Sequence, residues 1–209
     1  GDFMKKYIKF IKIMISLLLD SSNIKLGVAI AIDDKVIDYK YYDAWQRQSE
    51  YMMSEIEALL NANNIDPKDV NEIISTKGPG SYTGVRISLT IAKIWGFCRD
   101  IDVYALSSLQ VLKKEDDPSI CVINARSMRS YIGIYEGNKV IHEDTIYTNS
   151  EVVELLEKNP NYILCGDTKY LKKEGYETDI FKQMLSIKKD ATPVEEILGL
   201  KPVDRKSTR

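Results

Sequence analysis

Gly78-Pro79-Gly80-Ser81-Tyr82-Thr83-Gly84-Val85-Arg86 joins a strand-like stretch to a helix-like one through a tight, glycine-rich turn. Residues 72–76, Glu-Ile-Ile-Ser-Thr, read as a short buried strand, and residues 85–98 are almost continuously apolar over a length that suits a helix. The three glycines sit where the backbone must bend sharply or approach another segment closely. Ser81 is placed to cap the helix, which leaves the amides of its first turn pointing into the loop. Two readings of the loop follow. Aligned amides and the positive end of the helix dipole favour a phosphate, which makes Gly78, Gly80, Ser81, Tyr82, Thr83 and Gly84 a candidate phosphate or nucleotide loop. Alternatively, the glycines serve only turn geometry and close helix packing, and the spacing meets neither the Walker nor the dinucleotide-binding fingerprint.

Outward from the loop, residues 14–43 run apolar in three bursts, 15–19, 26–32 and 36–42, punctuated by polar pairs, and predict three antiparallel strands. Trp45, Met52, Ile56, Leu59 and Leu60 then recur at helical spacing, with Asp43 as a cap and Asn63-Asn64 as a stop. Beyond the glycine loop and its helix come a strand at 103–105, a helix at 107–114 and the polar linker Lys113-Lys114-Glu115-Asp116-Asp117-Pro118. A second cycle begins there. Residues 119–124, 130–135 and 139–147 are strand-like, and Gly137-Asn138 joins the last two as a hairpin. Thr148 with Glu151 forms a capping box for a helix to residue 158, and 162–165 is the next strand. The expectation is an α/β protein of two lobes with duplicated βββαβα halves, the second abbreviated. The lobes are bounded at 14–112 and 119–209, and the stretch 169–209 is a helical cover or partly disordered.

The 209 residues carry 29 Lys and Arg against 31 Asp and Glu, so a net charge of -2 supplies no global attraction to nucleic acid. The basic residues that do gather, Lys5, Lys6, Lys9 and Lys12 at one end and Lys201, Arg205, Lys206 and Arg209 at the other, read as solvated termini. Cys98, Cys121 and Cys165 are odd in number, far apart and flanked by apolar residues, which predicts buried, reduced thiols of a cytoplasmic protein. No stretch approaches the roughly 20 apolar residues of a membrane span.

Catalytic sets are missing from this pattern. His142 is the only histidine and lies beside Glu143 and Asp144 in a strand, where it reads as a surface residue. A single histidine also rules out the two-histidine zinc motif of metallopeptidases. Asp20, at a strand end beside a tight turn, reads as a cap of that turn. The helix after the glycine loop is more informative. Val85, Leu89, Ala92 and Gly96 form one stripe and Ile87, Ile91, Ile94 and Cys98 another, so apolar side chains cover more than one core-facing side. The first helix adds Tyr51, Ala58 and Ala62 beside its main apolar face. Burial of both stripes within the chain and burial against a partner are both open on this pattern.

The nine-residue loop, followed by Ile87-Ser88-Leu89-Thr90-Ile91-Ala92-Lys93, resembles the signature of the TsaB family of tRNA threonylcarbamoyladenosine biosynthesis, formerly grouped with glycoprotease-like proteins. The resemblance extends to Met14-Ile15-Ser16-Leu17-Leu18-Leu19-Asp20-Ser21-Ser22, to Ala105-Leu106-Ser107-Ser108-Leu109 and to Val122-Ile123-Asn124-Ala125-Arg126. It runs from about Met14 to Gly166, with a weaker echo at residues 202–207, so residues 1–13 read as an extra segment. The sequence departs from the family pattern at Asn124, where an aspartate is usual, and at Gln48, where a histidine is frequent.

The resemblance implies an actin/Hsp70-like fold of the ASKHA, RNase H-like kind, whose full members bind ATP between their halves. Here the first hairpin, Asp20-Ser21-Ser22-Asn23, lacks a glycine, and Cys165-Gly166-Asp167 offers one glycine where a pair is expected. It further implies a non-catalytic partner of TsaD, the enzyme that transfers the threonylcarbamoyl group to adenosine beside the tRNA anticodon, with the ATPase TsaE assisting. Pairing in that family runs through the first two helices. This places Tyr51, Glu55, Ala58, Ala62, Val85, Arg86, Leu89, Ala92, Lys93 and Gly96 at the partner interface, with a homodimer through the same surface when TsaD is absent and a site for ATP or ADP at the shared interface. An ATP-binding, kinase-like enzyme of the same superfamily is the alternative.

Overall fold

Residues 15–20 do not alternate between buried and exposed: in β1 (Ile15–Asp20) the five residues after Ile15 are all buried, the mark of a central strand covered on both faces. β2 (Lys25–Ile32) and β4 (Glu72–Thr76) are buried in the same way, whereas β3 (Lys35–Asp43) is largely exposed and forms an edge. The computed structural model describes residues 13–194 of the chain. The basic terminal clusters, the echo at 202–207 and nearly all of the extra segment at 1–13 lie outside the described residues. With β5 (Asp102–Leu106), the first sheet has the order β3-β2-β1-β4-β5. β1 runs antiparallel to β2 and parallel to β4, and β4 runs parallel to β5.

Each face of this sheet has its own core. Leu17, Leu19, Val28, Ile30 and Ile73 pack with Met52, Ile56, Leu59 and Leu60 of α1 (Gln48–Ala62) and Ala92 of α2 (Tyr82–Arg99). The alternate residues Leu18, Ala29, Ala31 and Ile74 face α4 (Ile180–Lys188), through Ile180, Phe181, Met184, Leu185 and Ile187. Small residues on that side make room for the helix: a Cβ at Gly27 would stand 3.2 Å from the Phe181 ring. α4, placed by sequence in the second lobe, returns to cover the first sheet, because that face would otherwise expose a row of aliphatic side chains to water.

The second sheet has the order β8-β7-β6-β9, built from β6 (Ser119–Arg126), β7 (Arg129–Glu136), β8 (Lys139–Thr148) and β9 (Ile163–Cys165). α3 (Asn149–Lys158) covers one face through Val152, against Ile120, Val122 and Ile132. Its start carries the expected capping box, with the Thr148 side chain on the Glu151 amide and the Glu151 side chain on the Thr148 amide. Both halves thus share the βββαβ order, and the second stops one strand short of the first. This is a two-lobed, actin/Hsp70-like fold.

Two local expectations change. The helix expected over 107–114 is a single 3-10 turn, Gln110–Leu112. Leu109 joins the core of the second lobe and Val111 that of the first, so this short segment is buried on both sides at the junction of the lobes. Asp43 ends β3 and pairs with Lys25 at 2.8 Å instead of capping α1. α1 starts at Gln48 with Arg47 in the cap position and no side-chain cap, and Trp45 stands outside the helix, exposed, beneath the Arg126 guanidinium at 4.5 Å.

Candidate functional site

The glycine loop is built against the β1–β2 turn. The Ser81 side chain accepts the Gly84 amide at 3.3 Å and so caps α2, while the Ser81 amide donates to the Ser22 carbonyl at 2.8 Å. A Cβ at Gly80 would fall 2.1 Å from the Ser22 carbonyl oxygen, and one at Gly84 would fall 2.0 Å from that of Ser21. Gly78 has φ +99°, a conformation that side-chain-bearing residues rarely adopt. Turn geometry and close backbone approach therefore account for all three glycines. The Ser21 hydroxyl closes the contact by donating to the Gly84 carbonyl.

Asp20 is buried beneath this junction. Its Oδ1 accepts from the Thr76 hydroxyl at 2.7 Å, the Ser22 hydroxyl at 2.6 Å and the Ser22 amide at 3.2 Å, the geometry of a turn cap. Nearby, burial and then the charges of Asp20, Glu177, Asp43 and Asp167 push the Tyr41 phenol well above its ordinary range. Gly166, with φ +112°, lies against the Val122 carbonyl, 2.5 Å from where its Cβ would be. Among the described residues no group of three or more His, Cys, Asp and Glu side chains is arranged to hold a metal ion.

The outer face of α2 is the most conspicuous apolar feature. Gly84, Ser88, Ala92 and Gly96, four small residues at i, i+4, i+8 and i+12, are buried and let the helix lie close on the sheet. Ile87, Ile91 and Trp95 are half-buried against the α1 side of the core. The remaining side is open. Tyr82 is 76% exposed, Ile94 60% and Phe97 84%. Arg86 stands over the Tyr82 ring and donates to its hydroxyl at 2.9 Å. On α1, Met53, Ala58 and Ala62 are exposed, Tyr51 is half-buried under the Arg47 guanidinium, and Glu55 accepts the Tyr42 hydroxyl at 3.1 Å.

Of the residues expected at a partner interface, Arg86, Lys93, Ala58 and Ala62 are exposed and Tyr51, Glu55, Val85 and Leu89 half-buried. Ala92 and Gly96 are corrected: they are enclosed by the chain itself, on the stripe of small α2 residues that is buried. Phe97 and Met53 went unremarked in the sequence. Phe97 shares a stripe with Arg86, Thr90 and Lys93 (i, i+4, i+7, i+11), and those polar neighbours make the stripe read as a solvated face.

Other candidates fall into place. His142 is exposed, its Nδ1 2.7 Å from the Glu143 carbonyl oxygen. Gln48 is buried and donates to the Asn23 carbonyl at 2.8 Å, and Asn124 accepts the Arg126 amide at 2.9 Å. Cys121 and Cys165 are buried as expected, but Cys98 is exposed, since it lies on the outer side of α2. No described helix is long and apolar enough to cross a membrane.

Comparison with known proteins gives the following. The family profile of TsaD, tRNA N6-adenosine threonylcarbamoyltransferase, matches residues 43–183. The tRNA threonylcarbamoyladenosine biosynthesis protein TsaB of Bacillus subtilis is 31% identical over 90% of this chain and 78% of its own. TsaB of Buchnera aphidicola subsp. Schizaphis graminum is 27% identical over 71% of this chain and 82% of its own. Among solved structures, YeaZ from Pseudomonas aeruginosa superposes with a TM-score of 0.72 at 18% identity, over 88% of this chain and 97% of that one.

Proposed function

The chain belongs to the TsaB family of tRNA threonylcarbamoyladenosine biosynthesis proteins, and on that footing we propose that it acts without catalysis of its own, as the scaffold that holds TsaD in its active conformation. The observation that carries this reading is the open face of α2: Tyr82, Ile94 and Phe97 lie exposed on a helix whose other side is fully used by the sheet. Exposed apolar groups of this size, with Ile94 and Phe97 neighbours one turn apart on the helix, support an interaction surface. Burying Ile94 and Phe97 against a partner contributes on the order of 1.5–3 kcal/mol each. Arg86 and Lys93, on the same stripe as Phe97, supply directional contacts to carboxylates. Binding shifts TsaD toward the conformation that fits this face better, which is activation by differential affinity. A homodimer through the same surface covers the patch when TsaD is absent, and TsaE acts on the assembled pair.

The kinase-like alternative requires nucleotide binding by the isolated chain. The tight seating of the glycine loop on Ser21 and Ser22 speaks for the scaffold reading instead.

Reconstitution tests the proposal. With threonylcarbamoyl-adenylate and tRNA supplied, this chain alone is expected to transfer nothing, and adding it to its cognate TsaD raises the transfer rate at least tenfold. Transfer by the chain alone, or a TsaD rate indifferent to it, overturns the proposal.

A further inference from the structure

Ser107 and Ser108 follow β5 where the first lobe hands over to the second, and their hydroxyls serve opposite sides of that junction. The Ser107 hydroxyl donates to Asp144 Oδ2 on β8 at 2.5 Å, and the other carboxylate oxygen accepts the Tyr135 hydroxyl of β7 at 2.5 Å. Ser107 Oγ also accepts the Leu109 and Gln110 amides, each at 3.2 Å. Ser108 faces the glycine loop: its Oγ accepts the Gly78 amide at 3.0 Å, and its own amide donates to the Gly78 carbonyl at 2.9 Å. Gly78 opens the loop that ends at Ser81, the cap of α2.

The arrangement is built for this purpose. A Cβ at Gly133 would stand 2.6 Å from the Tyr135 hydroxyl and 2.7 Å from Asp144 Oδ1, so the hydrogen bond between them exists because position 133 is glycine. Tyr135 is buried, and burial followed by the Asp144 hydrogen bond pushes its phenol well up, so the proton stays on the donor. These side-chain bonds are additional to the backbone ladders of β7 and β8, and none of Ser107, Tyr135 and Asp144 belongs to α2. Satisfied polar groups at such a junction select one arrangement of the parts they join, because any other leaves them unpaired.

We propose that Asp144 is a positioning residue: with Tyr135 it holds Ser107, and through the Ser107-Ser108 step it fixes the glycine loop and the first turn of α2, so that the second lobe sets how the docking face is presented. The effect on a partner rests on the scaffold reading above; the effect on the loop does not. A carboxylate accepts both hydroxyls at once. Asparagine keeps the shape and still pairs with both, accepting from one and donating to the other, whereas alanine pairs with neither.

The test compares the full-length chain with Asp144→Ala, Asp144→Asn and Ser107→Ala by amide hydrogen exchange and by titration of cognate TsaD. In the isolated chain, Asp144→Ala and Ser107→Ala are expected to speed exchange at residues 78–84 at least tenfold while β1 and β2 stay unchanged, and Asp144→Asn to remain close to wild type. TsaD affinity falls about tenfold in the first two variants and recovers in the third. If Asp144→Ala does not fold, Ser107→Ala carries the same comparison. A folded variant with wild-type exchange at 78–84, or uniform acceleration across the whole chain, overturns the inference. Failure of the wild-type chain to bind TsaD counts against the scaffold reading alone and leaves the exchange result to judge Asp144.

Discussion

A methyl group at Gly84 has nowhere to go: the Ser21 carbonyl oxygen lies 2.0 Å from the site, and this neighbour is backbone, which cannot swing aside. Gly84→Ala is therefore expected to cost about 3 kcal/mol, the upper end for forced overpacking, read from the urea midpoint. A loss below about 0.5 kcal/mol would mean that the loop is not seated as described. Lys188 offers a second residue-scale test. It bonds Glu72 at 2.8 Å and Asp34 at 2.9 Å, and Glu72, buried in β4, also accepts the Ser16 hydroxyl at 2.6 Å. Burial by itself would lower the Lys188 pKa, but its hydrogen bonds and the two carboxylate charges hold it above the ordinary value. A raised folded pKa means that the stabilisation is complete below the unfolded value of about 10.4 and fades as pH rises through the folded one. Lys188→Met should lower stability by about 3 kcal/mol at pH 8, by stranding Glu72, and the gap to wild type should narrow above pH of about 10.5. A gap that is constant with pH would contradict the ion pair. Ser81 as cap was legible from its place before an apolar run; the link from Lys188 to Glu72 was not, because 116 residues separate them.

At the scale of elements, α2 and α4 show what periodicity carries. The excess of apolar residues on α2 was readable in the sequence; that some of them find no place inside is seen only in the structure. Which ones was not readable either, since the sheet takes the small stripe Gly84, Ser88, Ala92 and Gly96 and leaves Phe97 outside. A charge at Ala92 therefore breaks the fold, while a charge at Phe97 probes the surface. The amphipathic pattern of α4 says that one side must be buried without saying against what. Met184, fully buried on the first sheet, is the check: Met184→Ala should destabilise the protein by about 2–5 kcal/mol. A change under 1 kcal/mol would show that this helix does not lie on that sheet. The helix expected over 107–114 is one 3-10 turn, and the pattern did not show that Leu109 and Val111 belong to two different cores.

The whole molecule is two versions of one pattern, a three-stranded antiparallel unit, a helix and a parallel strand, joined by the segment through Ser107 and Lys113. That duplication was legible because strand bursts and polar breaks recur in the same order in each half. The return of α4 to the first lobe depends on how the chain closes in space, and local sequence does not encode that. The most direct test of the scaffold account is the mass of a mixture of this chain with its cognate TsaD, measured by light scattering as it elutes from a sizing column. The account predicts a single heteromeric species, lost in Phe97→Glu, whose melting temperature stays within about 2 °C of wild type because surface changes cost little. Two separate peaks for the wild-type mixture, or an undiminished complex with Phe97→Glu, would contradict it.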